Sequence, residues 1–323
     1  MNETGTFSSS NKDNKIIFMG TPEFAVASLD SLLQAGFNII AVVTAPDKPA
    51  GRGMKLTESA VKKFAVEKGL HLLQPEKLKD PSFVAQLQLL HADIQVVVAF
   101  RMLPEIVWNM PRLGTINLHG SLLPQYRGAA PINWAVINGE KQTGVTTFKL
   151  QHSIDTGNIL LQERFPIGDD ETAGGVHDRM KEIGAAMLVK TIEGLEDGTI
   201  TERAQSDSAG AAPTNNAPLK HAPKIFTETC KIDWQQPAAA IYNLIRGLSP
   251  FPAAFTYLNE KMLKIYTSKK EITPPAMSTG GYLTDHKTYL KFAAADGFIH
   301  VLEIQLEGKK KMLIDEFLRG YRF

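Results

Sequence analysis

The hydrophobic pattern changes period repeatedly up to residue 206 and changes character after residue 223. Lys15 to Met19 is a short apolar run that stops at Gly20-Thr21-Pro22-Glu23. Phe24, Ala27, Leu29, Leu32 and Leu33 then recur at helical spacing until Gly36, with Thr21 placed as the cap and Pro22 at the first helical position. Phe37 to Val43 returns to an extended pattern. Helices are predicted over Thr57 to Lys68, Pro81 to Leu90, Pro104 to Met110, Pro131 to Asn138 (Trp134 and Ile137 inward) and Thr172 to Gly194. Between them lie extended segments at His71 to Leu73, Asp93 to Ala99, Thr115 to His119, Gly144 to Leu150 and Ile159 to Arg164. Val96 to Ala99 has the β-branched character of a strand buried on both faces of a parallel sheet. This alternation predicts an α/β fold with a doubly wound, mostly parallel sheet, its last two strands forming a hairpin on the edge.

The later part reads differently. Asp207 to Pro223 is rich in Ala, Pro, Ser and Asn, as a linker would be. Pro237 to Ile245 is helical, and short extended runs follow at Ala254 to Leu258, Met262 to Thr267, Gly281 to Thr284, Tyr289 to Ala293 and Phe298 to Leu306. Five short strands with turn signals predict a small OB-like β-barrel. The expected organisation is therefore a disordered tail over 1–14, a catalytic domain over 15–206, a linker over 207–223 and a barrel domain over 224–323.

Composition narrows the classes. A chain of 323 residues with 43% hydrophobic and 21% charged residues reads as a soluble, two-domain protein. The longest apolar run falls well short of a membrane span, and Met1 to Asn14 lacks the apolar core of a secretion signal, so a cytoplasmic location is expected. Cys230 is the sole cysteine, which excludes an internal disulfide and a thiolate metal cluster, and the eight His show no ligand spacing. The net charge of +1 is uneven: from Lys224 onward there are 14 Lys and Arg against 10 Asp and Glu, and before it 21 against 24. A basic C-terminal part is compatible with an anionic macromolecular partner and equally with an ordinary solvated surface.

Candidate chemistry gathers in Gly114 to Gly128. A period of two puts Asn117 and His119 on one face of a strand, and the Gly120-Ser121-Leu-Leu-Pro124 turn sets them at its carboxyl end, where open α/β sheets place ligands. An imidazole beside a carboxamide can move a proton and stabilise an oxyanion. Asp155, 36 residues after His119, is positioned to orient the imidazole if the two loops converge. No Ser or Cys stands where a covalent nucleophile is needed, so the nucleophile is expected to come from the substrate. The first strand-to-helix turn lacks the glycines of G-x-G-x-x-G, which argues against a dinucleotide. The stretch from Thr44 to Lys55, with Lys48, Arg52 and Lys55 among Pro and Gly, is expected to be irregular: either a plain surface loop or a basic arm that closes on phosphates.

Asn117-Leu-His119-Gly-Ser-Leu-Leu-Pro124-Gln-Tyr-Arg127-Gly128, followed by Asp155-Thr-Gly157, resembles the 10-formyltetrahydrofolate-dependent formyltransferases. The resemblance runs from Ile16 to Arg322 and includes Gly20-Thr-Pro-Glu-Phe24, Pro46-Asp-Lys-Pro-Ala-Gly-Arg-Gly53, Ile232-Asp-Trp234, Ile245-Arg-Gly-Leu-Ser-Pro-Phe-Pro252 and Phe317-Leu-Arg-Gly320. It implies a Rossmann-like catalytic domain, catalytic roles for Asn117, His119 and Asp155, and a folate-binding turn at Ser121, Leu122, Leu123 and Pro124. By the same analogy Phe100, Arg101, Met102 and Leu103 hold the pterin ring of a 10-formyltetrahydrofolate co-substrate, with no metal. The 46–53 loop and the C-terminal domain favour, within the family, an enzyme whose acceptor is the α-amine of a methionyl initiator tRNA. Lys48, Arg52 and Lys55 are then the expected tRNA contacts, with Arg52 in the loop that enters the acceptor stem, and a monomer is compatible with such a partner. A nucleotide-linked amino sugar as acceptor, or a noncatalytic RNA-binding protein on an old fold, are the competing readings.

Overall fold

A computed structural model describes residues 13–50, 55–206 and 218–322. In chain order, β1 (Lys15–Gly20), α1 (Glu23–Gln34), β2 (Asn38–Val43), the short strands β3 (Lys48–Ala50) and β4 (Lys55–Thr57), α2 (Ala60–Glu67) and β5 (Leu72–Leu73) open the fold. Then come α3 (Pro81–Leu90), β6 (Ile94–Val98), α4 (Glu105–Trp108), β7 (Thr115–His119), β8 (Arg127–Gly128), α5 (Pro131–Ile137), β9 (Gln142–Lys149), β10 (Ile159–Pro166) and α6 (Ala173–Glu196). The remainder is β11 (His221–Ala222), α7 (Thr227–Cys230), α8 (Ala238–Leu248), β12 (Ala254–Leu258), β13 (Lys261–Glu271), β14 (Tyr282–Thr284), β15 (Leu290–Ala293), β16 (Phe298–Leu306), β17 (Met312–Leu313) and α9 (Ile314–Gly320).

The main sheet has the order β10-β9-β7-β6-β1-β2-β5. β1, β2, β5, β6 and β7 run parallel and β9 is antiparallel to β7, so the expected doubly wound, mostly parallel sheet is present, with β9 and β10 side by side at the edge where a hairpin is expected. β6 is central and wholly buried, as its β-branched run requires. After β5 the chain returns to the other side of β1, so the sheet reverses direction between β1 and β6 and opens a crevice outside their carboxyl ends. Gly20 suits that crevice: a Cβ there would lie 2.6 Å from the Ala25 Cβ, so the chain turns into α1 in a space no larger residue fits.

Three local expectations change. α1 begins at Glu23 with Pro22 as its N-cap and no side-chain cap bond, because Pro22 is extended and moves the boundary one residue past Thr21. Lys48–Ala50 and Lys55–Thr57 are more regular than their breakers suggest, since they pair as the antiparallel ribbon β3–β4 with Pro49 opposite Leu56; a two-stranded ribbon has open edges that tolerate the missing proline N–H. On α5 the buried residues are Ala135 and Val136, while Ile137 packs partly buried against the C-terminal core.

The described residues form two compact units. The first takes residues up to 125, 144–164 and 178–218; the second takes 126–143, 165–177 and everything from 219. In the second unit β12 to β17 make a six-stranded antiparallel sheet, one strand more than the periodicity shows, around a core that includes Ile241, Ile245, Leu263, Ile265, Phe292 and Ile304. β13 runs to Glu271, past the expected Thr267, because its polar end still pairs with β16. The expected tail lies outside the described residues except at 13–14, as does 207–217 of the expected linker. No helix among the described residues is long and apolar enough to cross a membrane.

Candidate active site

β7 is held between β6 and β9, with Asn117 opposite Val97 on one side and Phe148 on the other, and His119 opposite Thr146. Alternation sends Leu118 to the reverse face, where α6 approaches so closely that a Cβ on Gly184 would lie 2.9 Å from the Leu118 side chain. Asn117 and His119 therefore face away from α6. His119 is 7% exposed and meets the Phe148 ring edge-on at 6.5 Å, 83° between planes. Phe148 is fully buried, worth roughly 1.5–3 kcal/mol of burial, and it fixes one wall beside the imidazole.

Asp155 comes from the loop joining β9 and β10. Its carboxylate Oδ2 stands 3.9 Å from His119 Nδ1, too long for a hydrogen bond in this state but close enough to stabilise an imidazolium. Three features of the Asp155-Thr156-Gly157 turn set that position. Asp155 sits at φ +52, the Thr156 hydroxyl donates to the Ser153 carbonyl at 3.0 Å, and Gly157 presses on the Lys149 carbonyl, where a Cβ would come within 1.6 Å. The fourth support is Gln205, 6% exposed, whose side-chain amide donates to the carbonyls of Asp155 at 2.8 Å and Gly157 at 2.9 Å. The sequence carries no signal for Gln205, since an amide that braces a distant turn leaves no spacing pattern.

The turn over 121–125 is braced by the edge strands. The Thr146 hydroxyl donates to the Ser121 carbonyl at 2.6 Å and accepts from the Leu123 N–H at 3.2 Å. Gln162 on β10 donates to the Leu123 carbonyl at 2.8 Å and to Thr146 Oγ1 at 3.0 Å. Ser121 donates to the Gln125 carbonyl at 2.6 Å, Leu123 is fully buried, and the Leu123-Pro124 bond is cis. The side chains of Ser121 and Leu123 thus build the turn, and half-buried Leu122 and Pro124, with the backbone, are what it presents.

Residues 100–103 leave the carboxyl end of β6, at the crevice. Phe100 packs on the sheet core, Leu103 is buried and Met102 is 73% exposed. Arg101 donates to the carbonyls of Pro75 and Glu76, lies 5.5 Å over the Phe100 ring, and has its pKa lowered by burial. Gln74, next in that segment, donates to the Ala45 carbonyl and the Asp47 carboxylate. Asp47 also binds Lys62, and both bonds hold its carboxyl below the usual range. The base of the β3–β4 ribbon is thereby tied to the segment that Arg101 anchors. Within the ribbon Lys48 is exposed and the Lys55 backbone pairs with Ala50, while Arg52 lies outside the described residues. The structure brings together Asn117, His119 and Asp155, and separately builds the 121–124 turn and the 100–103 segment. Among the described residues no group of three or more His, Cys, Asp or Glu gathers as a metal would require.

Comparison with known proteins matches residues 14–192 to the formyl transferase family and residues 224–322 to the formyl transferase C-terminal domain. A protein of Bacteroides thetaiotaomicron named methionyl-tRNA formyltransferase is 52% identical over 316 residues, 96% of this chain and 97% of its own length. One of the same name from Flavobacterium johnsoniae is 49% identical over 314 residues, 96% of each chain. Among solved structures, the sugar 3N-formyltransferase WlaRD, determined with dTDP and 5-N-formyl-THF, aligns with a TM-score of 0.64 at 21% identity, over 92% of this chain and 99% of its own. HypX of Aquifex aeolicus, in complex with tetrahydrofolic acid, aligns with a TM-score of 0.62 at 16% identity, over 95% of this chain and 48% of its own. At these identities the structures speak for the fold alone.

Proposed function

The chain belongs to the formyl transferase family, and from that premise we propose that it moves the formyl group of 10-formyltetrahydrofolate to the α-amine of a methionyl initiator tRNA, giving N-formylmethionyl-tRNA. The observation that carries the chemistry is the convergence of Asn117, His119 and Asp155: two side chains on one face of a strand end and a carboxylate 3.9 Å from the imidazole. End-to-end similarity to proteins named for the methionyl-tRNA reaction supports the acceptor.

The α-amine, with a reference pKa of about 7.7 to 8.0, attacks the formyl carbon as the free base. A new N–C bond forms, the carbonyl π electrons move to oxygen, and the nitrogen becomes positive. Neutral His119 takes the surplus proton from that nitrogen, and the Asp155 carboxylate stabilises the imidazolium. The Asn117 amide and the imidazolium N–H stabilise the oxyanion. The oxyanion then collapses, the bond to the folate nitrogen breaks, and His119 returns its proton to that leaving nitrogen. Leu122, Pro124 and the 100–103 backbone hold the folate at the crevice, and Lys48, Arg52 and Lys55 meet the acceptor stem.

Purified protein given 10-formyltetrahydrofolate and methionyl initiator tRNA should yield formylmethionyl-tRNA. His119→Ala should lower kcat by about 10²- to 10⁴-fold, the range for a positioned acid–base group, at an unchanged thermal midpoint. Near-wild-type turnover by His119→Ala overturns the catalytic assignment. Transfer to a nucleotide-linked amino sugar with none to the tRNA overturns the acceptor.

A further inference from the structure

The hairpin of β12 and β13 is apolar on both faces: one lies wholly in the core, and the other adds Phe255, buried at 5% exposure, with Met262 packed partly buried against the same core. Ala254, Leu258, Leu263 and Ile265 point into the core of the second unit. On the opposite face the register sets Phe255 against Lys264 and Tyr257 against Met262. That outer face is the floor of a cavity of about 490 Å³ whose lining also includes Lys224, Phe226 and Phe251. Two large aromatic rings of its lining meet solvent: Phe251 is 82% exposed and Phe226 58%. Folded proteins leave single apolar side chains outside freely; two large exposed rings lining one concave surface mark a candidate binding site.

Phe251 is held out by a braced backbone. The Ser249 carbonyl accepts from the Gly174 N–H at 3.0 Å, the Pro252 carbonyl accepts from Lys264 at 3.4 Å, and the Ala253 N–H donates to the Leu248 carbonyl at 2.9 Å. Ala253 is buried at φ +74, a left-handed conformation that a non-glycine residue adopts only where its surroundings impose it. The tip of the Ser249-Pro-Phe-Pro252 motif is therefore a fixed aromatic post.

Charge identifies the occupant. Lys224 lies over the Phe226 ring at 5.6 Å, and Lys264 lines the floor. Among the described residues, none that lines the cavity is acidic. Exposed rings beside lysines suit a ligand that offers flat π faces on an anionic backbone, as an unpaired nucleic-acid strand does. We propose that Phe226 and Phe251, flanked by Lys224 and Lys264, form a platform on which unpaired bases of the acceptor RNA stack. The platform rests on the reading of the acceptor as tRNA and adds to it a mode of recognition, base stacking in the C-terminal unit.

The test uses the full chain, with wild type, Phe251→Ala, Phe251→Leu and Phe251→Trp titrated with uncharged initiator tRNA and with single-stranded oligoadenylate across a salt series. Phe251 is exposed enough that all variants should fold, as circular dichroism will report. Phe251→Ala and Phe251→Leu should bind both RNAs about tenfold more weakly, the size of one stacked base, with the salt slope unchanged because no phosphate contact is lost. Phe251→Trp should bind as wild type. Wild-type affinity in Phe251→Ala overturns the platform; wild-type affinity in Phe251→Leu also overturns it, showing apolar cover and no stacking. Oligoadenylate that fails to bind wild type overturns it as well. Formylation of methionyl-tRNA in the presence of any of these results leaves the acceptor reading standing, whereas a wild type that neither binds tRNA nor formylates it overturns both.

Discussion

Asp155 serves His119 only while its backbone stays at φ +52, a conformation an aspartate visits at some cost and does not keep unaided. Gln205 supplies the restraint through its two bonds to the carbonyls of Asp155 and Gly157. Gln205→Ala withdraws both donors from a buried place, leaving each carbonyl at a penalty on the order of 1–3 kcal/mol, and the turn relaxes away from the imidazole. We expect kcat to fall roughly ten- to hundredfold through misplacement of Asp155, with KM for the tRNA unchanged. Steady-state kinetics check this, and a wild-type kcat would mean that Gly157 and Thr156 hold the turn alone. Asp155 converges on Asn117 and His119 from the β9–β10 loop, and the placement of those two on one face of a strand end was legible in the sequence because alternation and the following turn fix it. Gln205 was not, because the brace works through backbone carbonyls that every residue carries. The same blindness covers Ser121 and Leu123: as letters they belong to a ligand turn, and in three dimensions their side chains hold that turn in shape.

At the scale of elements, the 121–125 turn depends on hydrogen bonds from the neighbouring edge strands. Thr146, fully buried on β9, gives and receives bonds at Ser121, Leu123 and Gln162 through one hydroxyl. Thr146→Val keeps the shape and removes the hydroxyl, so the Ser121 carbonyl and the Leu123 N–H lose their partner in a dry place. The loss should destabilise the protein by about 1–3 kcal/mol in chemical denaturation and raise KM for 10-formyltetrahydrofolate. Unchanged stability and KM would show that Gln162 suffices. Helix periods could be read directly for α3 and α6, where burial on a defined face imposes the pattern, and β6 and β7 from the short, largely apolar runs that a central parallel strand requires. No such pattern could be read for the β3–β4 ribbon, where Lys48, Pro49, Leu56 and Thr57 are exposed and the ribbon is defined by pairing and by the Asp47 anchor at its base.

At the scale of the molecule, composition changes sharply only at residues 207–223, and a boundary drawn there follows the chain. Contacts follow space. α5 meets α8, where a Cβ on Gly247 would come 2.4 Å from the Ile137 side chain, and the Asn133 amide donates to the Gly247 carbonyl at 2.7 Å. β8 pairs with β11, the Tyr242 phenol donates to Asp170 at 2.6 Å, and buried Arg246 donates to the Glu171 carbonyl at 3.1 Å. Burial first, and the Asp170 bond second, push the Tyr242 phenol up to about 12, and Arg246 is lowered by burial, so these pairs sit well inside the second unit. None of this reaches the local sequence: Gly247 reads as a helix-weakening residue, and Arg246 as a surface charge. A fragment ending at Ser206 keeps residues 126–143 and 165–177 and loses the part of the unit they pack on. Its α5 face would be exposed, and Asp170 and the carbonyl of Glu171 would lose their partners. Such a fragment should melt below the full chain and aggregate on warming, as calorimetry and light scattering would record. A fragment that unfolds reversibly at the full-chain midpoint would show that these contacts add nothing to the N-terminal half, and that it folds along the boundary the composition draws.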